Sequence, residues 1–294
     1  MRLFISRKPP SGCIPQPPSP NAPGLPLGRF TIFKFWWLSV PHTQIELHAY
    51  LTPSQTLAGC AAFMATKLAQ AIAQRGIARI ALAGGNTPKA LYDLLAAPPQ
   101  ANLIDWSRVE FYFGDERAVP QTHPESNFAL AQTHLFTPLG IAPTHRFPMI
   151  SAPMQPLALE AARYQKLLEH WAPSAVPVFD FILNGMGDDG HFASLFPATP
   201  ALAERARWVV ANPVPQHHTE RLTLTYPVFE AARTVAFLVT GAAKHPAFSA
   251  LSQTEHPSPT ARFVQNRRTD WFVDEACQNG LTEGQNTQAV KAGG

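Results

Sequence analysis

The chain has 294 residues, 46% of them hydrophobic and 15% charged, with a formal net charge of +3. This length allows one large domain or two modest ones, and the apolar fraction is sufficient for a sizeable core. The three cysteines, Cys13, Cys60 and Cys277, are too few for a disulfide-stapled scaffold, and none lies in the Cys/His spacing of a structural zinc site. Because the chain contains no run of about eighteen apolar residues, no transmembrane helix is expected.

The basic residues are unevenly distributed. Five of the 23 basic residues and none of the 20 acidic residues lie in residues 1–45, so the remainder carries 18 basic against 20 acidic residues and a net charge of −2. A body of that sign gives no reason to expect a nucleic-acid partner. Residues 1–45 are also proline-rich between Pro9 and Pro26, and their apolar run ends at Pro41 without a small-residue cleavage site. We therefore expect residues 1–45 to be a disordered extension, or an extension that results from a start codon assigned too far upstream, rather than a targeting signal.

Hydrophobic periodicity over the rest of the chain alternates between helical and strand patterns. Apolar residues at three-and-four spacing predict helices over residues 55–75, 87–97, 125–136, 155–171, 227–233 and 242–252. Short apolar runs predict strands over residues 77–83, 109–113, 178–184, 208–210, 221–225 and 235–239. This alternation predicts a single α/β domain over residues 46–278, with a mostly parallel sheet covered by helices on both faces. Residues 279–294 are expected to form a flexible tail.

Ligands of open α/β sheets bind beyond the carboxyl ends of the strands, and four polar stretches follow predicted strands. The first consists of Gly84, Gly85, Asn86, Thr87 and Pro88. The two glycines let a ligand approach the backbone closely, Thr87 is expected to cap the next helix, and Pro88 suits its first turn. The free N–H groups of a helix N-terminus bind phosphate. A plain strand–turn–helix connection is the alternative.

The second and fourth stretches contribute charged side chains. Asp115 and Arg117 follow the predicted strand over residues 109–113 and belong either to a solvated turn or to a binding site. Lys244 follows the last predicted strand, and Arg221 begins a neighbouring one. Each of these basic residues is either a solvated surface charge or a partner for an anionic substrate.

The third stretch is glycine-rich and carries an aspartate–histidine pair. Residues Gly185–Gly190 match the G-x-G-x-x-G pattern of dinucleotide-binding turns. However, Asp188 and Asp189 would repel a pyrophosphate there, and Pro197 interrupts the long helix that such a motif requires. Histidine is the side chain best suited to exchange a proton near neutral pH, so His191 is a candidate general base. A structural histidine is the alternative.

These motifs together resemble the 6-phosphogluconolactonase family. The resemblance rests on GGNTP with KALYDLL, on WSRV followed by FYFGDER and HPESN, on GMGDDGHFASLFP, and on RLTLT with a G-x-x-K turn. It extends from about Leu57 to Ala276, and GMGDDGH followed by ASLFP is its most specific part. The chain departs from the commonest family pattern at Asn86, where serine is usual, and at Phe192, where threonine is usual.

The resemblance implies a modified Rossmann-like sheet and hydrolysis of 6-phospho-D-glucono-1,5-lactone to 6-phospho-D-gluconate, with neither metal nor cofactor. It further implies a cytoplasmic enzyme with a small sugar-phosphate substrate and no nucleic-acid or membrane partner, acting as a monomer or weak homodimer. His191 would be the general base, Asp189 would support it, and Arg117 would stabilise the oxyanion. The phosphate would be held by Gly84, Gly85, Asn86, Thr87 and Lys244, with Arg221 as a weaker candidate, and Asp115 would contact sugar hydroxyls.

Two alternative functions are considered. A glucosamine-6-phosphate deaminase/isomerase has a similar sheet and a similar GxGxDGH turn, but its motif ends in an Asn-Glu-Pro type of sequence, whereas this chain has Ser194–Pro197. A sugar-phosphate sensor that regulates transcription would need a DNA-binding helix-turn-helix, and the proline-rich residues 1–45 cannot form one. Both differences favour the lactonase.

Overall fold

The computed structural model describes residues 45–173, 175–252 and 257–279. The extension predicted over residues 1–45 and the tail predicted over residues 279–294 lie outside these residues, apart from Ile45 and Asn279. The boundaries of both segments remain predictions.

The core of the described chain is a parallel sheet of six strands in the order β1-β9-β8-β5-β2-β3. Its members are β1 (Ile45–Tyr50), β2 (Ala78–Leu82), β3 (Val109–Phe113), β5 (Phe181–Asn184), β8 (Val235–Val239) and β9 (Thr269–Asp274). All residues of β5 and β8 are buried, which is expected for central strands covered on both faces. The predicted mostly parallel α/β fold is confirmed.

Helices flank this sheet. They are α1 (Pro53–Arg75), α2 (Asn86–Ala96), α3 (Asn127–Ala131), α4 (Leu157–Trp171), α5 (Tyr226–Ala231), α6 (His245–Ser249), α7 (Pro259–Val264) and α8 (Glu275–Asn279). Within the described residues, α1 is the one helix whose length and composition would allow it to cross a membrane. It is amphipathic in the fold, because Cys60, Met64 and Leu68 lie in the core while Thr66 and Gln70 are exposed.

A second, smaller sheet carries three short antiparallel strands. Its order is β4-β7-β6, with β4 at Asp115–Arg117, β6 at Val209–Val214 and β7 at Thr219–Leu224. The periodicity had not separated β6 and β7 from the parallel sheet, and the residues of β4 had been assigned either to a solvated turn or to a binding site rather than to a strand. Gly114 joins the two sheets, since its N–H donates to the Leu82 carbonyl and its own carbonyl accepts from the Leu224 N–H.

The order of strands in the parallel sheet creates a crevice. From β2 the chain runs outward to β3 and then returns to β5 on the other side of β2. The connections that leave β2 and β5 therefore diverge, and such a switch point at the carboxyl ends of parallel strands is where ligands of open α/β sheets bind. Gly84 and Gly85 lie in the loop after β2, and Asn86 and Thr87 begin α2. The loop after β5 contains His191, so the sheet brings the first and third predicted stretches together.

Candidate active site

The loop after β2 is packed against α3. A Cβ atom on Gly84 would lie 1.7 Å from Asn127 Oδ1, so no larger residue fits without displacing that side chain. Helix α2 begins at Asn86 with Gly85 as its N-cap, at a φ of 102° that favours glycine. The prediction that Thr87 caps the helix was wrong. Its Oγ1 instead lies 3.3 Å from Thr240 Oγ1, which joins this loop to the one that follows β8.

The turn after β5 holds an aspartate–histidine pair. His191 Nδ1 lies 2.5 Å from Asp189 Oδ1, and the His191 backbone N–H donates to the same oxygen at 3.1 Å. Burial raises the pKa of Asp189, but the hydrogen bonds from His191 outweigh this effect and hold the pKa below its ordinary value. A Cβ atom on Gly187 would lie 2.1 Å from the His191 ring, so the turn requires glycine there. The segment from Gly185 to Thr199 forms no helix, as expected if it does not bind a dinucleotide.

The ring of Phe196 links this pair to the second sheet. It is 1% exposed and stacks on the His191 ring with centroids 3.8 Å apart. The guanidinium carbon of Arg221 lies 5.6 Å from the same ring centroid, and the His217 ring is packed edge-on at 5.3 Å. The candidate base and the Arg221 cation therefore contact one aromatic side chain. The sequence analysis had included Phe196 only as part of the motif that carries the family resemblance.

Two arginines stand directly opposite each other in the second sheet. Arg117 of β4 pairs in register with Arg221 of β7, an arrangement of like charges that disfavours folding. Burial lowers the pKa of Arg221. Among the described residues, the Nε atoms of both arginines are buried without a hydrogen-bond partner. Together with Glu125, His217 and Thr219, the two arginines line a cleft of about 300 Å³. Two guanidinium groups whose Nε–H donors lack acceptors suit an anionic ligand.

Asp115 is the first residue of β4 and is buried. Ser194 Oγ donates to Asp115 Oδ2 at 2.6 Å, and Asn127 Nδ2 donates to Asp115 Oδ1 at 3.2 Å. Its carboxylate thus ties the loop that carries His191 to β4 and α3. Contact of Asp115 with sugar hydroxyls remains a prediction.

The sequence pattern did not distinguish Glu116 from its charged neighbours. This side chain is 1% exposed, and it accepts hydrogen bonds from the backbone N–H groups of Arg117, Asn127 and Phe128 and from Ser126 Oγ. Burial raises its pKa, while these four donors act in the opposite direction. Glu116 therefore fastens the start of α3 to β4, which positions Asn127 and Arg117.

Lys244 reaches the same turn from the loop after β8. Its Nζ lies 2.7 Å from Asp188 Oδ1, and Asp188 directly precedes the residue that supports His191. The loop is held in turn by Asp274, whose two carboxylate oxygens accept the Gly241 N–H at 3.0 Å. Lys244 and Arg221 therefore approach the His191 turn by different routes, Lys244 through Asp188 and Arg221 through Phe196. Asn86 is exposed at the start of α2, and the structure shows no hydrogen bond from its side chain to these groups.

In the parts of the chain that the structure describes, no group of three or more His, Cys, Asp or Glu side chains is arranged to hold a metal ion. The expectation that the reaction needs neither metal nor cofactor remains a prediction. The groups on these elements are an imidazole supported by a carboxylate, and three cations, of which Lys244 reaches the His191 turn through Asp188 and Arg221 through Phe196. They provide a proton acceptor beside positive charge, which suits attack on a substrate that carries or develops negative charge.

Comparison with known proteins identifies the family. Residues 52–272 match the family model described as glucosamine-6-phosphate isomerases/6-phosphogluconolactonase. The chain belongs to this family. Among curated members, it is 38% identical over 223 residues to a 6-phosphogluconolactonase from Synechocystis, an alignment covering 74% of this chain and 90% of that relative.

Solved structures of the family have the same fold. The 6-phosphogluconolactonase from Trypanosoma brucei is 28% identical with a TM-score of 0.70, covering 82% of this chain and 100% of that one. A monomeric glucosamine-6-phosphate deaminase is only 17% identical with a TM-score of 0.68, covering 80% of this chain and 100% of that one. The similarity to the deaminase shows only that the two chains have the same fold. Because proteins with either activity have this fold, the residues of the site must distinguish the two reactions.

Proposed function

We propose that the protein is a carboxylic ester hydrolase that converts 6-phospho-D-glucono-1,5-lactone to 6-phospho-D-gluconate, the second step of the oxidative pentose phosphate pathway. The observation that carries this proposal is the contact of the His191 imidazole with Asp189 on one side and Phe196 on the other. Family relatives that bear the 6-phosphogluconolactonase name, at 38% identity over most of their length, support it.

In the proposed mechanism His191 is the general base. Its Nδ1–H donates to Asp189, which fixes the tautomer and leaves Nε2 to accept a proton from the attacking water. The water oxygen bonds to the lactone carbonyl carbon, and the π electrons of the carbonyl bond move onto the carbonyl oxygen, which becomes the oxyanion. When the tetrahedral intermediate collapses, the bond to the ring oxygen breaks, and the His191 proton passes to that oxygen. A base of this kind contributes about 10²–10⁴-fold in rate.

The three cations divide the remaining tasks. Arg117 stabilises the oxyanion of the tetrahedral intermediate, where a fixed positive charge is most effective. Lys244 holds the phosphate with the backbone N–H groups of Gly84–Thr87, because the N-terminus of α2 has no side-chain cap and favours an anion. Arg221 is a further phosphate ligand. No nucleophilic side chain is required, since the lactone is an activated ester.

Position 196 argues against the deaminase. When the motifs are aligned on Pro197, the glutamate of the Asn-Glu-Pro type of ending falls at position 196. Here that position is Phe196, a buried ring stacked on His191, so it offers no carboxylate for proton transfer to the substrate. Ser194 of the same segment is occupied with Asp115. The sensor alternative has no observation in its favour.

The experiment is a lactone assay on purified protein with freshly prepared 6-phosphogluconolactone, because this lactone also hydrolyses spontaneously. Wild type is compared with His191→Ala, with buffer, and with a matched control, His170→Ala. His170 is an exposed histidine in the last turn of α4, which leads to the opposite end of β5. Hydrolysis by wild type and His170→Ala but not by His191→Ala is expected. Buffer-level decay in every sample, or ammonia release from glucosamine 6-phosphate, would overturn the assignment.

We further propose a cytoplasmic protein, a monomer or weak homodimer, with no nucleic-acid or membrane partner. The net charge of −2 beyond residue 45 supports the absence of a nucleic-acid partner. The packing of the apolar face of α1 in the core supports the absence of a membrane partner. Sedimentation analysis at several protein concentrations tests the oligomeric state.

A further inference from the structure

The carbonyl oxygen of Gly190, the residue that precedes His191, accepts two hydrogen bonds from one residue. Thr260 donates its backbone N–H at 3.0 Å and its Oγ1–H at 2.7 Å. Thr260 has no exposed surface. It lies 70 positions further along the chain, at the start of α7, and takes no part in the chemistry described above.

The same turn is packed against Ser258, the N-cap residue of α7. Gly190 has a φ of 72°, and a Cβ atom there would lie 2.5 Å from both Cβ and Oγ of Ser258. Ser258 is itself fixed, because its Oγ caps α7 by accepting the Ala261 N–H at 3.2 Å. Gly190 is therefore required both by its backbone conformation and by its close contact with Ser258.

The segment Ser258–Thr260 is anchored from its other side as well. The buried Tyr226 hydroxyl donates to the Pro259 carbonyl at 2.9 Å. Tyr226 begins α5, directly after the second sheet. A continuous set of contacts thus runs from Tyr226 through Pro259 and Thr260 to the Gly190 carbonyl.

We propose that Thr260 is a positioning residue for the general base. The Gly190 carbonyl belongs to the peptide unit whose nitrogen is that of His191, so a rotation of this peptide moves the His191 N–H away from Asp189 and turns the imidazole. Two donors on one carbonyl prevent that rotation. A base must be held to within about 0.5 Å of its productive position, and small misplacements lower the rate much more than they lower stability.

Three variants separate positioning from stability. Thr260→Val has nearly the same shape and keeps the backbone N–H bond but lacks the hydroxyl donor. Thr260→Ser restores that donor. The matched control is Thr56→Val, because Thr56 is also fully buried and its Oγ1 donates at 2.9 Å to a backbone carbonyl. That carbonyl belongs to Thr52, the N-cap residue of α1, which is not placed in the site.

The kinetic part of this test rests on the proposed function. We expect kcat for lactone hydrolysis to fall about tenfold in Thr260→Val with little change in KM, to recover in Thr260→Ser, and to stay at the wild-type level in Thr56→Val. Both valine variants should lose a similar amount of unfolding free energy, because each lacks one buried hydrogen bond. Equal kcat values in the two valine variants would overturn the proposal.

An NMR measurement tests the positioning role of Thr260 independently of the proposed lactonase activity. The Nδ1–H proton of His191, hydrogen-bonded to Asp189, is expected as a downfield NMR resonance that is absent from His191→Ala. Its position should change in Thr260→Val and return in Thr260→Ser, whether or not the protein hydrolyses the lactone. An unchanged resonance in Thr260→Val would refute the positioning role, whereas an inactive wild type with the expected shifts would refute only the proposed substrate.

Discussion

His191 and Asp189 are joined twice through a single oxygen atom, since Asp189 Oδ1 lies 2.5 Å from the ring nitrogen Nδ1 and accepts the backbone N–H at 3.1 Å. This double contact fixes the backbone of the turn and the plane of the imidazole together. The neighbouring carboxylate, Asp188, points instead to Lys244. Two adjacent aspartates thus serve different partners, and this difference can be tested directly.

Replacing Asp189 by asparagine should lower kcat by about a hundredfold or more, because the amide no longer stabilises the protonated imidazole. KM should change little, since Asp189 is not proposed to bind the phosphate. The matched control is Asp188→Asn, which removes the same charge one residue away and should leave kcat unchanged. Steady-state lactone hydrolysis measures both effects, and a similar loss of kcat in the two variants would contradict the assigned roles.

The same pair predicts a pH dependence of stability. The pKa of Asp189 is lower in the folded chain than its ordinary value, so the pair stabilises the fold fully above the unfolded-state pKa of about 3.9. The contribution is lost as the pH falls through the folded pKa. Urea unfolding should therefore show wild type more stable than Asp189→Asn at pH 6, with the difference shrinking between about pH 5 and pH 3. A difference that grows on acidification would contradict this sign.

Arg221 is expected to aid binding at a cost to stability. Because it faces Arg117 across β4 and β7, Arg221→Gln should raise the unfolding free energy by about 0.5 kcal/mol while raising KM for the lactone. Inorganic phosphate should raise the melting temperature of wild type more than that of the variant. The control is Arg205→Gln, which removes an exposed arginine paired with Glu230 and should change neither quantity appreciably. A loss of stability in Arg221→Gln would indicate a structural role instead.

Asp188 is expected to compete with the substrate phosphate for Lys244. The Asp188 carboxylate accepts a hydrogen bond from Lys244 Nζ at 2.7 Å, so a phosphate that binds Lys244 must displace this carboxylate. Asp188→Asn should therefore lower KM by about twofold to fivefold, in line with the small strength of exposed ion pairs, and Lys244→Met should raise KM. In the Lys244→Met background, Asp188→Asn should have no further effect. A raised KM in Asp188→Asn alone would mean that the carboxylate holds Lys244 in place for the phosphate.

Local patterns identified most of the parallel sheet but missed strands with buried polar residues. β8 is a continuous apolar run and β3 is interrupted only by Glu110, and the predicted bounds of both strands are those of the structure. β9 was not recognised as a strand because its apolar run is only three residues long, with Thr269 and Asp270 before it and Asp274 after it, yet all six residues of the strand are buried. Asp274 is needed there because it accepts the Gly241 N–H. Gly241 lies 33 positions away in the chain, so local periodicity cannot predict this contact.

The candidate site was only partly predictable for the same reason. Glycines and an adjacent aspartate–histidine pair form a local motif, so the His191 turn could be recognised from the chain alone. Glu116 could not, because its four donors become its partners only when α3 packs on β4. Thr260 likewise acts across 70 positions through a hydroxyl that no local pattern distinguishes.

Phe196 provides the last prediction, because it holds the base against the second sheet. Phe196→Leu keeps an apolar side chain but removes the face that stacks on His191 at 3.8 Å. The matched control is Phe272→Leu, since Phe272 is equally buried and stacks on another histidine, His48, at 4.5 Å. Both variants should lose about 1 kcal/mol of unfolding free energy, as expected for an aromatic pair. Only Phe196→Leu should lower kcat, by about tenfold, because only there does the imidazole lose its fixed orientation. Unfolding curves and lactone kinetics on the same preparations test this prediction. Equal kcat values in the two variants would mean that Phe196 contributes to the core but does not orient His191.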